Sequence, residues 1–260
     1  MGFDWHTLIL GAVQGLTEFL PVSSSGHLAL LQTFFGFRPS GLLAFDLLLH
    51  CATMLAVLIF FRDDIARLLR QWFRGFVSSD ARASEEWTTG WAILAGTVVT
   101  AALALPLKSA VESAMQSPIA VGAGLVTTAG LLCVVPLLPE RSRKLSIRIA
   151  LFVGFVQGLA VFPGVSRSGS TIMAGLLLGL TAPEAFRLSF LMSISAIAGA
   201  SLLESRNLLR GSVVLPSGWL FGVAIAFALG WFSLALLRRL VLSGRWAYFG
   251  IYCFLLGVFA

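Results

Sequence analysis

Apolar residues run along this chain in long blocks with short polar breaks between them, and most blocks are apolar on every helical face. Such blocks meet lipid all round rather than one side of a soluble core. Those long enough for a crossing of about 20 residues predict membrane helices at Leu42–Phe61, Gly90–Leu107, Pro118–Leu138, Leu188–Leu203, Gly218–Leu237 and Trp246–Ala260. The connections are a polar stretch from Arg62 to Glu86, a short link with Lys108 and Glu112, and a basic loop with Arg141, Arg143, Lys144 and Arg148. Two further blocks, Leu8–Phe35 and Ile149–Leu180, are too long for one span and carry polar residues at their centres. Each predicts two short helices meeting at a polar loop, because proline removes a backbone donor and glycine opens unusual backbone angles, as Pro21 and Gly26 do in the first block.

The two broken blocks are copies of one another. Val13 to His27 aligns without gaps on Val156 to Ser170, and nine of fifteen positions are identical: Val-Gln-Gly-Leu, Phe19 with Phe162, Val22 with Val165, Ser23 with Ser166, Ser25 with Ser168 and Gly26 with Gly169. The chain is therefore read as a single membrane domain, residues 1–260, built of two related halves at about 1–138 and 149–260 joined by the basic loop. The copies differ in charge. Val161 stands opposite Glu18, and Arg167 opposite Ser24.

Composition agrees with the pattern: 58% of residues are apolar, 12% are charged, and mean hydropathy is +0.92. The net charge of +6 lies in the loops between apolar blocks, where it orients the chain and meets anionic headgroups, so no nucleic-acid partner is implied. If each broken block dips in and returns to its own side, Arg62, Arg67, Arg70, Arg74, Arg82, Arg141, Arg143, Lys144, Arg148, Arg187, Arg238, Arg239 and Arg245 share the cytoplasmic face. Only Arg38, Lys108, Arg206 and Arg210 lie outside. Full crossings would leave eleven cations inside against six outside, in poorer accord with the positive-inside rule. The re-entrant reading gives each half an odd number of crossings, so the repeat is inverted. The expected fold is an all-α integral membrane protein with an inverted-topology repeat, six transmembrane helices and two re-entrant helical hairpins. Cys51, Cys133 and Cys253 stand singly in apolar stretches and read as packing residues. The stretch before Glu18 lacks a basic region, which predicts no cleaved signal peptide. A homo-oligomer is admitted by the sequence without being indicated by it.

Inverted hairpins would bring the two polar loops together in the membrane interior, where backbone outside a helix is tolerated only around a cavity. A charged side chain at that depth costs roughly 2.5 to 3.5 kcal/mol, which marks Glu18 as a functional candidate. In the second loop Gly164, Ser166, Arg167, Ser168 and Thr171 precede an apolar helix, the arrangement that binds a phosphate through free N–H groups and a planar bidentate donor. The Walker lysine is absent, so no nucleotide is implied. The first loop offers Glu18 as a cation ligand or proton acceptor, Ser23, Ser24 and Ser25 as nucleophiles, and His27 as acid or base. Together these suggest phosphoryl transfer on a lipid phosphate or diphosphate. Plainer readings remain open. Glu18 and Arg167 can neutralise one another, the serines can bond the preceding helical turn, and Asp46 and His50 can be solvated helix-end groups. An inverted repeat with hairpins also suits a transporter or flippase of a polyprenyl phosphate using the same clamp.

The run Gln14-Gly15-Leu16-Thr17-Glu18-Phe19-Leu20-Pro21-Val22-Ser23-Ser24-Ser25-Gly26-His27, with Pro163-Gly164-Val165-Ser166-Arg167-Ser168-Gly169, closely resembles bacterial undecaprenyl-diphosphate phosphatases of the bacitracin-resistance type. Phe45-Asp46 and Glu184-Ala185 with Phe190 extend the likeness over the chain. The resemblance implies a multi-pass inner-membrane enzyme that hydrolyses undecaprenyl diphosphate to the monophosphate, with a site open to the periplasm. Such an enzyme recycles the lipid carrier of peptidoglycan synthesis and confers bacitracin resistance, and it uses Mg²⁺ or Ca²⁺. It also implies Glu18 as the essential acid and a metal ligand, His27 as the imidazole, Ser24 as nucleophile or substrate contact and Arg167 as the diphosphate clamp. Gln14, Ser23, Ser25, Gly26, Gly164, Ser166, Ser168 and Thr171 would be substrate contacts. Gln14 replaces the first acid of a Glu-x-x-x-Glu pair, which leaves any protein-held cation one carboxylate short. Attack by Ser24 and attack by water both remain open.

Overall fold

The computed structural model describes residues 4–34, 36, 42–139, 141–208 and 215–260. Met1, Phe35, Arg38 and Arg210 of the sequence reading, and the side chain of Arg206, lie outside the described residues. The described residues are helical and contain no strand. In chain order the helices are α1 (Trp5–Thr17), α2 (Ser24–Phe34), α3 (Leu42–Phe60), α4 (Arg62–Arg74), α5 (Ser79–Arg82), α6 (Glu85–Ala104) and α7 (Lys108–Met115). There follow α8 (Pro118–Val134), a 3₁₀ turn at Val135–Leu137, α9 (Ile147–Leu159), α10 (Arg167–Leu177), α11 (Ala182–Leu208), α12 (Trp219–Leu242) and α13 (Ala247–Phe259).

Both broken blocks are helix, break, helix, with the breaks at residues 18–23 and 160–166. In each case the two helices touch, α1 with α2 and α9 with α10, so the chain folds back at the polar centre. Among the described residues four helices are long and apolar enough to cross a membrane: Glu85–Ala104, Pro118–Leu137, Ala182–Ser205 and Trp219–Val241. A fifth, Ala44–Phe60, continues into α4 through a bend of 73°. The chain is a multi-pass membrane protein. The last expected span, Trp246–Ala260, forms α13, whose 13 residues extend about 20 Å, less than a full hydrocarbon thickness.

The polar stretch after Leu42–Phe61 holds more order than its composition indicated. Phe61 leaves helical angles (φ −99°, ψ 14°), and α4 begins with Asp63 and Asp64 in its first turn and ends with Arg74 in its last, the order the helix dipole favours. One face of α4 carries arginine. The other carries Leu68, Leu69, Trp72 and Phe73, as an interfacial helix requires. Trp72, Phe76, Trp87 and Trp91 then form one aromatic cluster, with ring centroids 5.2 to 6.4 Å apart, tying α4 to the start of α6.

The two halves interlock through paired contacts. Helix α1 packs along α12, and its counterpart α9 packs along α6, while α8 meets α13 and α3 meets α11. Small residues set the first two crossings. A Cβ at Gly11 would collide with the carbonyl oxygen of Gly222, and one at Gly154 with that of Gly96. Without a hydrophobic force between helices in lipid, such close approach supplies the packing and lets hydroxyls bridge backbones. Ser233 Oγ donates to Gly15 O at 2.8 Å across one crossing, and Thr100 Oγ1 to Gly154 O at 3.0 Å across the other. Phe19, fully buried in the first break, packs edge-on to Phe190 of α11 at 5.7 Å and anchors that loop in the core. Gly154→Leu should therefore lower the melting temperature in detergent sharply, overpacking costing about 1–3 kcal/mol or more, with Gly130→Ala, which meets nothing within 4 Å, as the silent control. Equal melting of the two variants would show that the crossing tolerates a side chain.

Candidate active site

The first break is a compact turn with one strained residue. Ser23 has φ 68°, the one positive φ at a residue other than glycine among the described residues, and this places the chain to restart as α2. Its hydroxyl accepts from Gly26 N at 3.3 Å and meets Ser25 Oγ at 3.3 Å. Its carbonyl accepts from both His27 N at 3.2 Å and His27 Nδ1 at 2.7 Å. Ser23 and Ser25 thus build the turn, and Ser24 alone of the three turns its hydroxyl to an acid.

The second break ends in a capped helix start. Ser166 is the N-cap of α10, accepting from Gly169 N at 3.1 Å, and its own N–H donates to Thr128 Oγ1 at 2.8 Å. The same threonine donates to Gly164 O at 2.8 Å, so one α8 hydroxyl holds the loop at two points. Gly164 takes φ 87° with Val121 and Gly124 pressed against it, a position with no space for a Cβ. Ser168 Oγ meets Ser166 Oγ at 3.3 Å and donates to Leu20 O at 3.4 Å in the other loop. Thr171 is turned away. Its hydroxyl bonds Arg167 O at 2.7 Å and Ser189 Oγ of α11 at 2.6 Å, holding the base of α10 rather than facing the acid.

The two breaks meet as the repeat implies. Gly26 lies against Gly164 with no space for a side chain between them, and Gly169 lies against Pro21. Across this contact Arg167 Nη2 pairs with Glu18 Oε1. Ser24 Oγ donates to the other carboxylate oxygen, Glu18 Oε2, at 2.5 Å, and Gln14 Nε2 donates to the same atom at 3.1 Å. Glu18 is 7% exposed, so its charge is compensated almost wholly by these groups. The plainer reading of Glu18 and Arg167 as a neutralising pair and the functional one therefore share a geometry. What exceeds a structural pair is the serine proton already aimed at the carboxylate.

Two residues beyond the motifs reach the site. His50 Nε2 of α3 lies 3.9 Å from Glu18 Oε2, and its Nδ1 donates to Asp46 O at 2.9 Å. Asp46 Oδ2 accepts from Gln32 Nε2 of α2 at 3.4 Å, while Asp46 Oδ1 is buried without a hydrogen-bond partner. The spacing of Asp46 and His50, one helical turn apart, was the available signal, and only the packing of α3 turns it toward Glu18. Tyr252 of α13, with no motif around it, bonds His27 Nε2 at 2.6 Å. In the structure the Ser24 hydroxyl donates to Glu18, and His27 bonds Tyr252.

The donor set does not fit a protein-held divalent cation. No group of three His, Cys, Asp or Glu side chains converges among the described residues. Both Glu18 oxygens are engaged, and the residue one turn before it is the amide Gln14, whose Oε1 is buried without a partner.

The chain matches the family model described as bacitracin resistance protein BacA over residues 7–259. It is 43% identical to an undecaprenyl-diphosphatase of Desulfosudis oleivorans, the alignment covering 96% of this chain and 94% of that protein. It is 41% identical to one of Korarchaeum cryptofilum, over 97% and 96%, and 39% identical to one of Geobacter metallireducens, over 91% and 89%. With the family model matched over nearly its whole length, this chain belongs to the bacitracin resistance protein BacA family.

Proposed function

We propose that the protein hydrolyses undecaprenyl diphosphate to undecaprenyl phosphate and inorganic phosphate. The site would open to the periplasmic side of the inner membrane and recycle the lipid carrier of cell-wall synthesis. The observation that carries this reading is the Ser24 hydroxyl donating at 2.5 Å to a buried carboxylate whose other oxygen holds Arg167. A nucleophile, its base and an anion clamp are thereby bonded to one another before substrate arrives. Full-length identity to proteins named undecaprenyl-diphosphatase supports the substrate class. The exchanged contacts of α1 with α12 and α9 with α6 support the reading of two inverted halves with one hairpin from each face.

The steps follow from the bonds present. Ser24 Oγ attacks the terminal phosphorus and its proton passes to Glu18 Oε2. The bond from that phosphorus to the bridging oxygen breaks, and the lipid monophosphate leaves with that oxygen. Protonation removes the negative charge that holds Arg167, so the guanidinium becomes free for the phosphoryl oxygens as their charge develops. This is stabilisation weighted to the transition state, the kind that raises turnover. Water then attacks the phosphoserine and gives a proton to His27. Ser24 Oγ departs and recovers its proton from Glu18, inorganic phosphate is released, and His27 gives its proton to solvent. The serine route is favoured over direct attack by water because Ser24 rather than His27 is bonded to the carboxylate. The Mg²⁺ or Ca²⁺ requirement that the resemblance implies would be met by an ion held chiefly by the substrate's own phosphates, since this donor set does not hold one.

Purified protein in detergent should release phosphate from a polyprenyl diphosphate, and binding without release would favour the transport reading instead. Glu18→Gln and Arg167→Ala should each lower turnover at least about a hundredfold, the loss typical of one removed charge-stabilising group. Circular dichroism should show both variants still helical; near-normal turnover in either would remove that residue from the site. Rapid acid quenching with labelled terminal phosphate should trap a phosphoserine in the wild type and none in Ser24→Ala. A labelled enzyme in Ser24→Ala would move the nucleophile elsewhere.

A further inference from the structure

The helix that closes the chain touches the first break at two adjacent residues. Cys253 Sγ donates to Pro21 O at 3.8 Å, and Tyr252 Oη bonds His27 Nε2 at 2.6 Å with the two rings stacked, centroids 5.6 Å apart and planes inclined by 12°. No repeat partner or motif accounts for a phenol there. Both tyrosines of the chain, Tyr248 and Tyr252, lie in this helix, which is otherwise apolar from Ala247 to Phe259, and Tyr252 is the one bonded to His27.

The tautomer of His27 follows from its neighbours. Ser23 O can only accept, so His27 Nδ1 carries a hydrogen, and in the neutral ring Nε2 is the bare nitrogen. That leaves Nε2 as the working atom, and its partner is the Tyr252 hydroxyl, which can either donate or accept. The strained carbonyl of Ser23 on one side and the phenol on the other set the ring's plane as well as its tautomer. Ligands of a catalytic or metal-bound histidine act in this way on its second nitrogen, and here the second partner comes from the far end of the chain.

We propose that Tyr252 is a positioning residue for the hydrolysis. It holds His27 with Nε2 as the acceptor, in the free site, at the place from which that atom takes its proton during turnover. The proposal rests on the reading of His27 as the group that receives the water proton. Tyr252 stays half-exposed, so its side chain can yield to an incoming phosphoryl oxygen or water without repacking a core. Glu18 and Ser24 are bonded to one another and do not share this bond.

The test uses the full-length protein in detergent, labelled with ¹⁵N in its three histidines, of which His27→Gln identifies the His27 signals. Tyr252→Phe should shift the His27 Nε2 resonance toward that of an unbonded acceptor and lower kcat up to about tenfold, the effect of one ordinary hydrogen bond. Its melting temperature should stay at the wild-type value, and adding Tyr252→Phe to His27→Gln should cost no further turnover. An unmoved His27 signal, full turnover in Tyr252→Phe, or additive losses in the double variant would each overturn the proposal. Full turnover in His27→Gln alone would instead remove His27 from the mechanism and the proposal with it. Low turnover in His27→Gln with full turnover in Tyr252→Phe would discard only the role given to Tyr252.

Discussion

The buried charge pair between Glu18 and Arg167 is the constraint on which the rest depends. A lone carboxylate or guanidinium at this depth is costly, and removing one member of a buried pair typically costs about 3–5 kcal/mol, because the other is left uncompensated. The pair can exist only if the two polar breaks touch. That contact in turn requires Gly26 against Gly164 and Gly169 against Pro21, where a larger side chain would hold the loops apart. The fold therefore cannot be assembled from two independent halves that merely stand side by side.

Duplication explains how the site became asymmetric. Both copies retain the glycines and the turn serine, which serve the backbone, and the glutamine one turn before the break. Ser23 receives the Gly26 N–H and Ser166 receives the Gly169 N–H, the same bond in each copy. The positions free of that duty diverged. The acid at Glu18 has no second copy, and the base at Arg167 has no first. The glutamines show the consequence of the neighbour each copy acquired, since Gln14 bonds Glu18 at 3.1 Å and Gln157 bonds Thr100 at 3.1 Å. One copy supplies the carboxylate and the hydroxyl bonded to it, and the other the guanidinium paired with that carboxylate.

Where the sequence reading and the structure differ, the cause is the same. The two breaks, their meeting and the pairing of their charged groups were legible because the repeat places like residues at like positions. His27 carried no partner that the sequence could mark, and the residue that bonds its Nε2, Tyr252, comes from α13. The amphipathic spacing of Arg62 to Arg74 was present in the sequence but lay hidden in a stretch read as polar connection. His50 and Asp46 carried a spacing without a partner, and Thr128 carried no signal at all. Each gains its role from a helix that approaches from elsewhere.

The sequence by itself determined the solvent, the helical class, the two interruptions and which chemical groups occupy them. Hydrophobicity and proline or glycine placement act locally, and an inexact repeat can be read without coordinates. Tertiary structure decided the partners. It aimed the Ser24 hydroxyl at Glu18, turned Thr171 to Ser189, and brought α13 to His27 of α2. Such assignments depend on helix crossing and rotation, which arise from side-chain packing between separate segments and leave no periodic trace in either segment.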